Sequence, residues 1–172
     1  MKMKKGIYAL VSTLLIISVF SGCSQKRELD YKSVLDTDTG KIISLGDYKD
    51  YIERKLGDIY YIEDDEYGYA FGMIGVRYNS RDKAYNILIR LDSDRFVSQD
   101  INAYMKVEDL PSGFIFGEIQ RDGQNYGFYA RGRNEAGEIG ESTDYVELVY
   151  VVGDKLAVYN ITSNLLRDED FS

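Results

Sequence analysis

Apolar and polar residues alternate with two different periods along this chain, and the change between them is clearest from Lys41 to Gly57, K-I-I-S-L-G-D-Y-K-D-Y-I-E-R-K-L-G. Ile42 and Ile43 are β-branched and read as a strand entering the core. Ser44-Leu45-Gly46-Asp47 reads as a turn. From there Tyr48, Ile52 and Leu56 recur every fourth residue, with Tyr51 beside them and Lys49, Glu53 and Arg54 opposite, which is the stripe of an amphipathic helix. Asp47 is expected to be its N-cap, Asp50 faces the positive end of the helix dipole, and Gly57 falls at the left-handed C-cap position behind Lys55.

Beyond the helix the period drops to two. Ile59–Ile62 reads as a strand and Glu63-Asp64-Asp65-Glu66 as an exposed turn. Tyr69–Tyr78 reads as one strand, with Gly72 and Gly75 marking a bulge or close packing. Asn79–Lys83 turns the chain and Ala84–Leu91 returns it, so the three strands form an antiparallel meander. In the second half Phe96–Leu110 holds a strand and a short degenerate helix, ended by Pro111 and Gly113. Phe114–Ile119 and Gln124–Arg133 flank an Arg121-Asp122-Gly123 turn, and Tyr145–Val152 and Lys155–Thr162 flank Gly153-Asp154. The hairpins Ile74–Ile89 and Val146–Thr162 echo one another, each with Asp-Lys at the turn and Tyr-Asn late in the return strand, either as a duplicated module or because hairpins share turn chemistry. The expected fold class is α+β: one antiparallel sheet of about six to eight strands packed against one or two short helices. Residues 34–92 form a helix-plus-sheet module, and residues 93–172 a second, degenerate β-rich module of the same domain.

The N-terminus adds an address. Lys2, Lys4 and Lys5 precede the apolar run Ile7–Phe20, which is short for a membrane-spanning helix and reads as the core of a signal peptide over residues 1–22. Phe20-Ser21-Gly22-Cys23 resembles the bacterial lipobox, with Phe20 where Leu is usual. That resemblance implies a diacylglyceryl thioether on Cys23, which becomes the mature N-terminus, and a polar tether over residues 23–33 that holds the fold at the extracytoplasmic side of a membrane.

The whole chain carries a formal charge of −8; residues 1–22 hold three lysines and no acid, so the remainder carries −11. Such a surface argues against nucleic acid as a partner and against adhesion to anionic headgroups. There is no His, and Cys23 is the only Cys. Ser–His catalysis, a His-built zinc site and an intrachain disulfide are thereby excluded. Asp36-Thr37-Asp38-Thr39-Gly40 is a poor calcium loop, with Gly40 at a ligand position and Tyr48 where the closing Glu belongs, and reads as an Asx turn. No cofactor is expected.

The run Ile43-Ser44-Leu45-Gly46-Asp47, the helix, Leu56-Gly57 and the Tyr-rich hairpins that follow resemble a module of small bacterial lipoproteins, the group of the outer-membrane assembly lipoprotein BamE and the β-lactamase inhibitor protein. The likeness covers Lys41 to about Leu91. This chain departs from it at Tyr48, where Ser or Thr is common, and at Asp58-Ile59, where a Pro is common. The resemblance implies a helix-on-sheet scaffold that binds proteins or cell-envelope parts, and names no partner.

Sixteen tyrosines supply the remaining chemistry. Tyr60, Tyr61, Tyr67, Tyr69 and Tyr78 cluster after the helix and are the candidate binding residues; Tyr126, Tyr129, Tyr145, Tyr150 and Tyr159 lie on later strands. Alternation sends about half to each sheet face, where they either fill the core or present a surface to a protein or glycan. The expected function is a lipid-anchored, non-catalytic protein that binds an envelope protein or glycan. The alternative is an immunity or inhibitor protein whose acidic face blocks a basic enzyme or toxin. An envelope enzyme built on a carboxylate pair such as Glu63 with Glu66 or Asp92 with Asp94 ranks third.

Overall fold

The computed structural model describes residues 27–121 and 123–168. The expected signal peptide, Cys23 and the start of the expected tether lie outside the described residues. In chain order the strands are β1 (Ser33–Asp36), β2 (Lys41–Ser44), β3 (Tyr61–Glu63), β4 (Glu66–Tyr69), β5 (Ile74–Tyr78), β6 (Ala84–Arg90), β7 (Phe96–Ser98), β8 (Ile115–Arg121), β9 (Gln124–Arg133), β10 (Ile139–Gly140), β11 (Tyr145–Val152) and β12 (Lys155–Ser163). The helix α1 (Lys49–Leu56) lies between β2 and β3.

All pairings are antiparallel. Nine strands form one sheet in the order β10-β9-β11-β12-β6-β5-β4-β3, with β8 and β10 end to end on the free edge of β9. A smaller sheet, β2-β1-β7, takes strands from both halves of the chain. Two cross-strand rows line the inner face of the large sheet. One runs Tyr69–Ile74–Ile89–Tyr159–Val149–Tyr129–Phe116 and is apolar or aromatic throughout; the other runs Tyr67–Val76–Ile87–Ile161–Glu147–Arg131 and turns from apolar to charged. Val34, Ile43 and Phe96 of the small sheet, Ile52 of α1 and Ile101 close the same core. Full burial of Ile52 contributes about 1.5–3 kcal/mol.

The expected α+β class is not what forms. Among the described residues strands take 49% and helical segments 10%, with one α-helix, so the fold is mainly β. The helix was over-weighted because its signals are strong, yet it spans only eight residues. The second helix expected after Phe96 is a three-residue 3₁₀ turn, Val107–Asp109. The single expected sheet of six to eight strands is instead one of nine and one of three.

Two local readings also change. Tyr69–Tyr78 is not one strand: Ala70 (φ 49°), Phe71 (φ 60°) and Gly72 (φ 80°) form a left-handed turn between β4 and β5. Asp47 does not cap α1, whose N-cap is Tyr48 without a side-chain bond. The Asp47 carboxylate is claimed elsewhere, accepting from the Ser44 amide at 2.8 Å and from both terminal nitrogens of Arg27, each at 2.8 Å. Gly57 does close the helix, at φ 89° with its N–H on the Glu53 carbonyl. The Asx turn at Asp36 forms as read, with Asp38 N–H on the Asp36 carboxylate at 3.1 Å.

The two echoing hairpins, β5–β6 and β11–β12, lie side by side. β6 pairs with β12 around the directly opposed Ile87 and Ile161. The echoed Asn86 and Asn160 meet there, each donating its carboxamide N–H to the other's carbonyl at 3.0 and 3.2 Å.

Candidate functional site

The structure divides the five candidate tyrosines rather than gathering them. Tyr69 is fully buried, and its hydroxyl meets that of Tyr78 at 2.9 Å. Burial pushes the Tyr69 phenol up to about 12, while that of Tyr78 rises further, through burial first and its bond to Tyr69 second. Both are core residues with a satisfied polar end. Tyr67 packs edge-on against Tyr78 at 5.4 Å between centroids, and the Lys49 ammonium from α1 lies 3.8 Å from the Tyr67 ring centre.

Tyr60 and Tyr61 lie at the open end of the β3–β4 hairpin, where Tyr61 pairs with Gly68. Tyr61 lies flat over Gly68, where any Cβ would overlap its ring, and donates its hydroxyl to Glu66 at 2.7 Å. Burial, then the Glu66 carboxylate, pushes this phenol up to about 12. Tyr60 stands outside it, 63% exposed, with its ring 5.8 Å from that of Phe71. Phe71 is 77% exposed. Its backbone is left-handed (φ 60°, ψ 29°), and so is that of Ala70 before it. A non-glycine residue in that region costs about 1–2 kcal/mol, and two in succession are rare. The scaffold therefore spends stability to hold an aromatic ring out in water, a pattern concentrated at binding sites. Ile59, next to Tyr60 in the chain, is also exposed. Phe71 is absent from the sequence-based candidates, since no residue pattern marks a left-handed turn made without glycine at its first two positions.

At the far edge of the sheet the β8–β9 hairpin projects. β9 pairs with β11 only from Phe128 onward, whereas β8 accompanies it from Gln124. This arm exposes Ile115, Phe116, Ile119 and Tyr126, of which the sequence pattern singles out only Tyr126.

The densest buried charge lies inside the arm's base. Glu147 on β11, nearly inaccessible, accepts four hydrogen bonds: from Arg131 Nε (2.7 Å) and Nη2 (2.8 Å), Arg133 Nε (2.8 Å) and the Tyr159 hydroxyl (2.8 Å). Asp100, from the loop after β7, bridges Nη2 of Arg131 at 2.8 Å and of Arg133 at 3.0 Å. Burial opposes the Arg131 charge, but the bonds to Glu147 and Asp100 outweigh it, and its pKa lies above the ordinary value. The Tyr159 phenol is held well above its ordinary value by burial first and the Glu147 charge second. With two guanidiniums against two carboxylates and every Glu147 lone pair used, this is a clamp joining β9, β11, β12 and the Asp100 loop. Its sequence signal was charge at the inward phase of alternating strands: Glu147 between Tyr145 and Val149, and Arg131 two residues before Arg133.

The acidic turn Glu63-Asp64-Asp65-Glu66 is exposed over its first three residues, as expected. Among the described residues no three His, Cys, Asp or Glu side chains converge as a metal site. The chain matches no family model, no curated protein and no solved structure. The likeness of Lys41–Leu91 to the small-lipoprotein module therefore rests on those residues alone.

Proposed function

We propose that this is a lipid-anchored, extracytoplasmic protein without a catalytic step, which binds a protein of the cell envelope through the ledge of Tyr60 and Phe71. The address rests on Cys23 behind Phe20-Ser21-Gly22. The binding role rests on one observation above the rest: Phe71 is held exposed by a left-handed turn on the short β4–β5 connection. Exposed aromatics on a rigid support are the side chains that anchor protein interfaces, because they bury much area and have little rotamer freedom to lose.

The test uses the full chain in intact cells, with a photo-crosslinking residue at Tyr60. Capture of one envelope protein that is lost in Phe71→Ser and retained in Ile115→Ser supports the reading. Capture that is indifferent to Phe71 overturns the ledge as the contact. Mass analysis of the mature N-terminus checks the anchor: Cys23 should carry two acyl chains on a glyceryl thioether and, in an organism that N-acylates lipoproteins, a third on its amine; an unmodified Cys23 removes the anchor.

A second reading, that the protein inhibits or confers immunity to a basic enzyme or toxin, is favoured by the exposed Glu63, Asp64 and Asp65 on the same hairpin. The two readings separate by salt. An acidic decoy loses affinity steeply as ionic strength rises, whereas an aromatic ledge does not.

A further inference from the structure

At the acidic end of the β3–β4 hairpin, away from Phe71, a cleft of about 300 Å³ opens between Asp65, Tyr67, Tyr78, Asp82, Tyr85 and Arg167. Its back wall is fixed. Tyr67 and Tyr78 are locked against each other and under Lys49, and the Tyr78 hydroxyl is held by Tyr69. One side wall is tied as well: the Asn79 carboxamide donates to the Leu166 carbonyl at 2.7 Å, and the Ser80 hydroxyl donates to Asp168 at 3.0 Å.

What remains is a set of groups without partners among the described residues. Among the described residues the Tyr85 ring makes no ring-stacking or cation–π contact, the carboxylates of Asp65 and Asp82 accept no hydrogen bond, and the Arg167 guanidinium donates none, although all four line the cleft. The cleft thus offers one free aromatic platform, two strong acceptor groups and one planar donor group. Its signs are mixed. An organic cation entering it meets Arg167, and an anion meets Asp65, Asp82 and Asp168. A neutral ligand with an apolar face and a rim of hydroxyls suits it best: the face stacks on a ring, and each hydroxyl both donates to a carboxylate and accepts from a guanidinium. The volume is at the small end for a ligand site and suits one or two sugar rings.

We propose that this cleft binds a neutral saccharide, stacked on Tyr85 and hydrogen-bonded by Asp65, Asp82 and Arg167. The site is separate from the Phe71 ledge and does not rest on the protein-binding role.

The test is calorimetric titration of the full-length protein, in a detergent that carries no sugar, with chitotriose and cellotriose, and with tetramethylammonium as the competing chemistry. Saturable binding of a neutral oligosaccharide is expected. Tyr85→Ala and Asp82→Asn should each weaken it about tenfold, while Tyr85→Phe, which keeps the platform, and Phe71→Ser should leave it unchanged. Asn tolerates the left-handed backbone of Asp82 (φ 56°), so that variant keeps the fold even where Tyr85→Ala does not. No saturable binding of either oligosaccharide up to roughly 10 mM, binding indifferent to Asp82→Asn, or tighter binding of tetramethylammonium would each overturn the proposal. Phe71-dependent capture of a protein partner stands or falls independently.

Discussion

The two ends of the long sheet solve the same problem in opposite ways. Each must bury polar side chains on its inner face. At the β4–β5 end the buried polar groups are neutral, the hydroxyls of Tyr69 and Tyr78 bonded to one another. At the β9–β11 end they are charged, with Glu147 taking hydrogen bonds from two arginines and Tyr159. A neutral pair needs only one good bond and leaves its surroundings apolar. A buried ion cluster must satisfy every donor and acceptor, because the alternative is an uncompensated charge in a low dielectric. The comparison teaches where each end is vulnerable. The tyrosine end should fail when its hydroxyls ionise, and the ionic end when any one member is deleted.

The largest effect is expected at the ionic end. Glu147→Ala leaves Arg131, Arg133 and the Tyr159 hydroxyl facing an empty place, with only Asp100 opposing two positive charges. Loss of one partner from a buried charge network costs about 3–5 kcal/mol, read as a lower urea midpoint at unchanged slope. Replacing Arg131 by Met together with Glu147 by Leu should cost much less than the sum of the single changes, since charge and countercharge leave together. A loss under about 1 kcal/mol for Glu147→Ala would show that the cluster carries little of the fold, and the contrast between the ends would collapse.

This cluster also shows what was legible in the sequence and what was not. β11 and β9 have the boundaries read from alternation alone, Tyr145–Val152 and Gln124–Arg133, because a half-buried antiparallel strand writes its period directly into the residues. The same alternation placed Glu147 inward, but a charge on the core face looks like noise until its partners on the neighbouring strand are known. The β4–β5 turn was hidden for a different reason: Ala70 and Phe71 carry no turn chemistry, and they turn left-handed within the four-residue connection that the Tyr69–Ile74 pair closes. The Asp47 cap was misread because Arg27, twenty residues away, claims its carboxylate. Of the candidate tyrosines, Tyr60 and Tyr67 reach a surface site, while Tyr69 serves the core, a partition that depends on which strand lies opposite.

At the tyrosine end the lever is alkali. The Tyr69 phenol is pushed up to about 12 by burial, against 10.0 for an unperturbed phenol. The folded state therefore keeps its proton after the unfolded state has lost it. Stability from this group is fully present below pH 10 and is lost as the pH rises from 10 toward 12. Two units correspond to roughly 3 kcal/mol for the complete titration. Tyr159 at the other end acts in the same sense, its phenol being raised by burial and Glu147. The comparison is therefore between variants: Tyr69→Phe should flatten part of the alkaline fall in denaturation midpoint, and Tyr159→Phe another part. If neither changes the slope above pH 10, buried hydroxyls do not govern the alkaline limit of either end.

Between the two ends lies the junction of the echoing hairpins, and here the smallest effect is expected. Asn86 and Asn160 are bonded to each other in both directions across β6 and β12, and the Asn86 amide also donates to the Thr162 hydroxyl at 2.7 Å. Both side chains are nearly buried on the outer face. Replacing one Asn by Ala removes one arm and leaves the other carboxamide short of a partner, about 1–2 kcal/mol; replacing both leaves only the half-buried Thr162 hydroxyl, which water can reach, without its Asn partners. The double variant should thus cost less than the two singles added, with a coupling of at least about 0.5 kcal/mol. Additive losses would mean that each Asn is satisfied by its own hairpin or by water. The junction would then be held by the Ile87–Ile161 pair beneath it, leaving the echoed Tyr-Asn without a role at the seam.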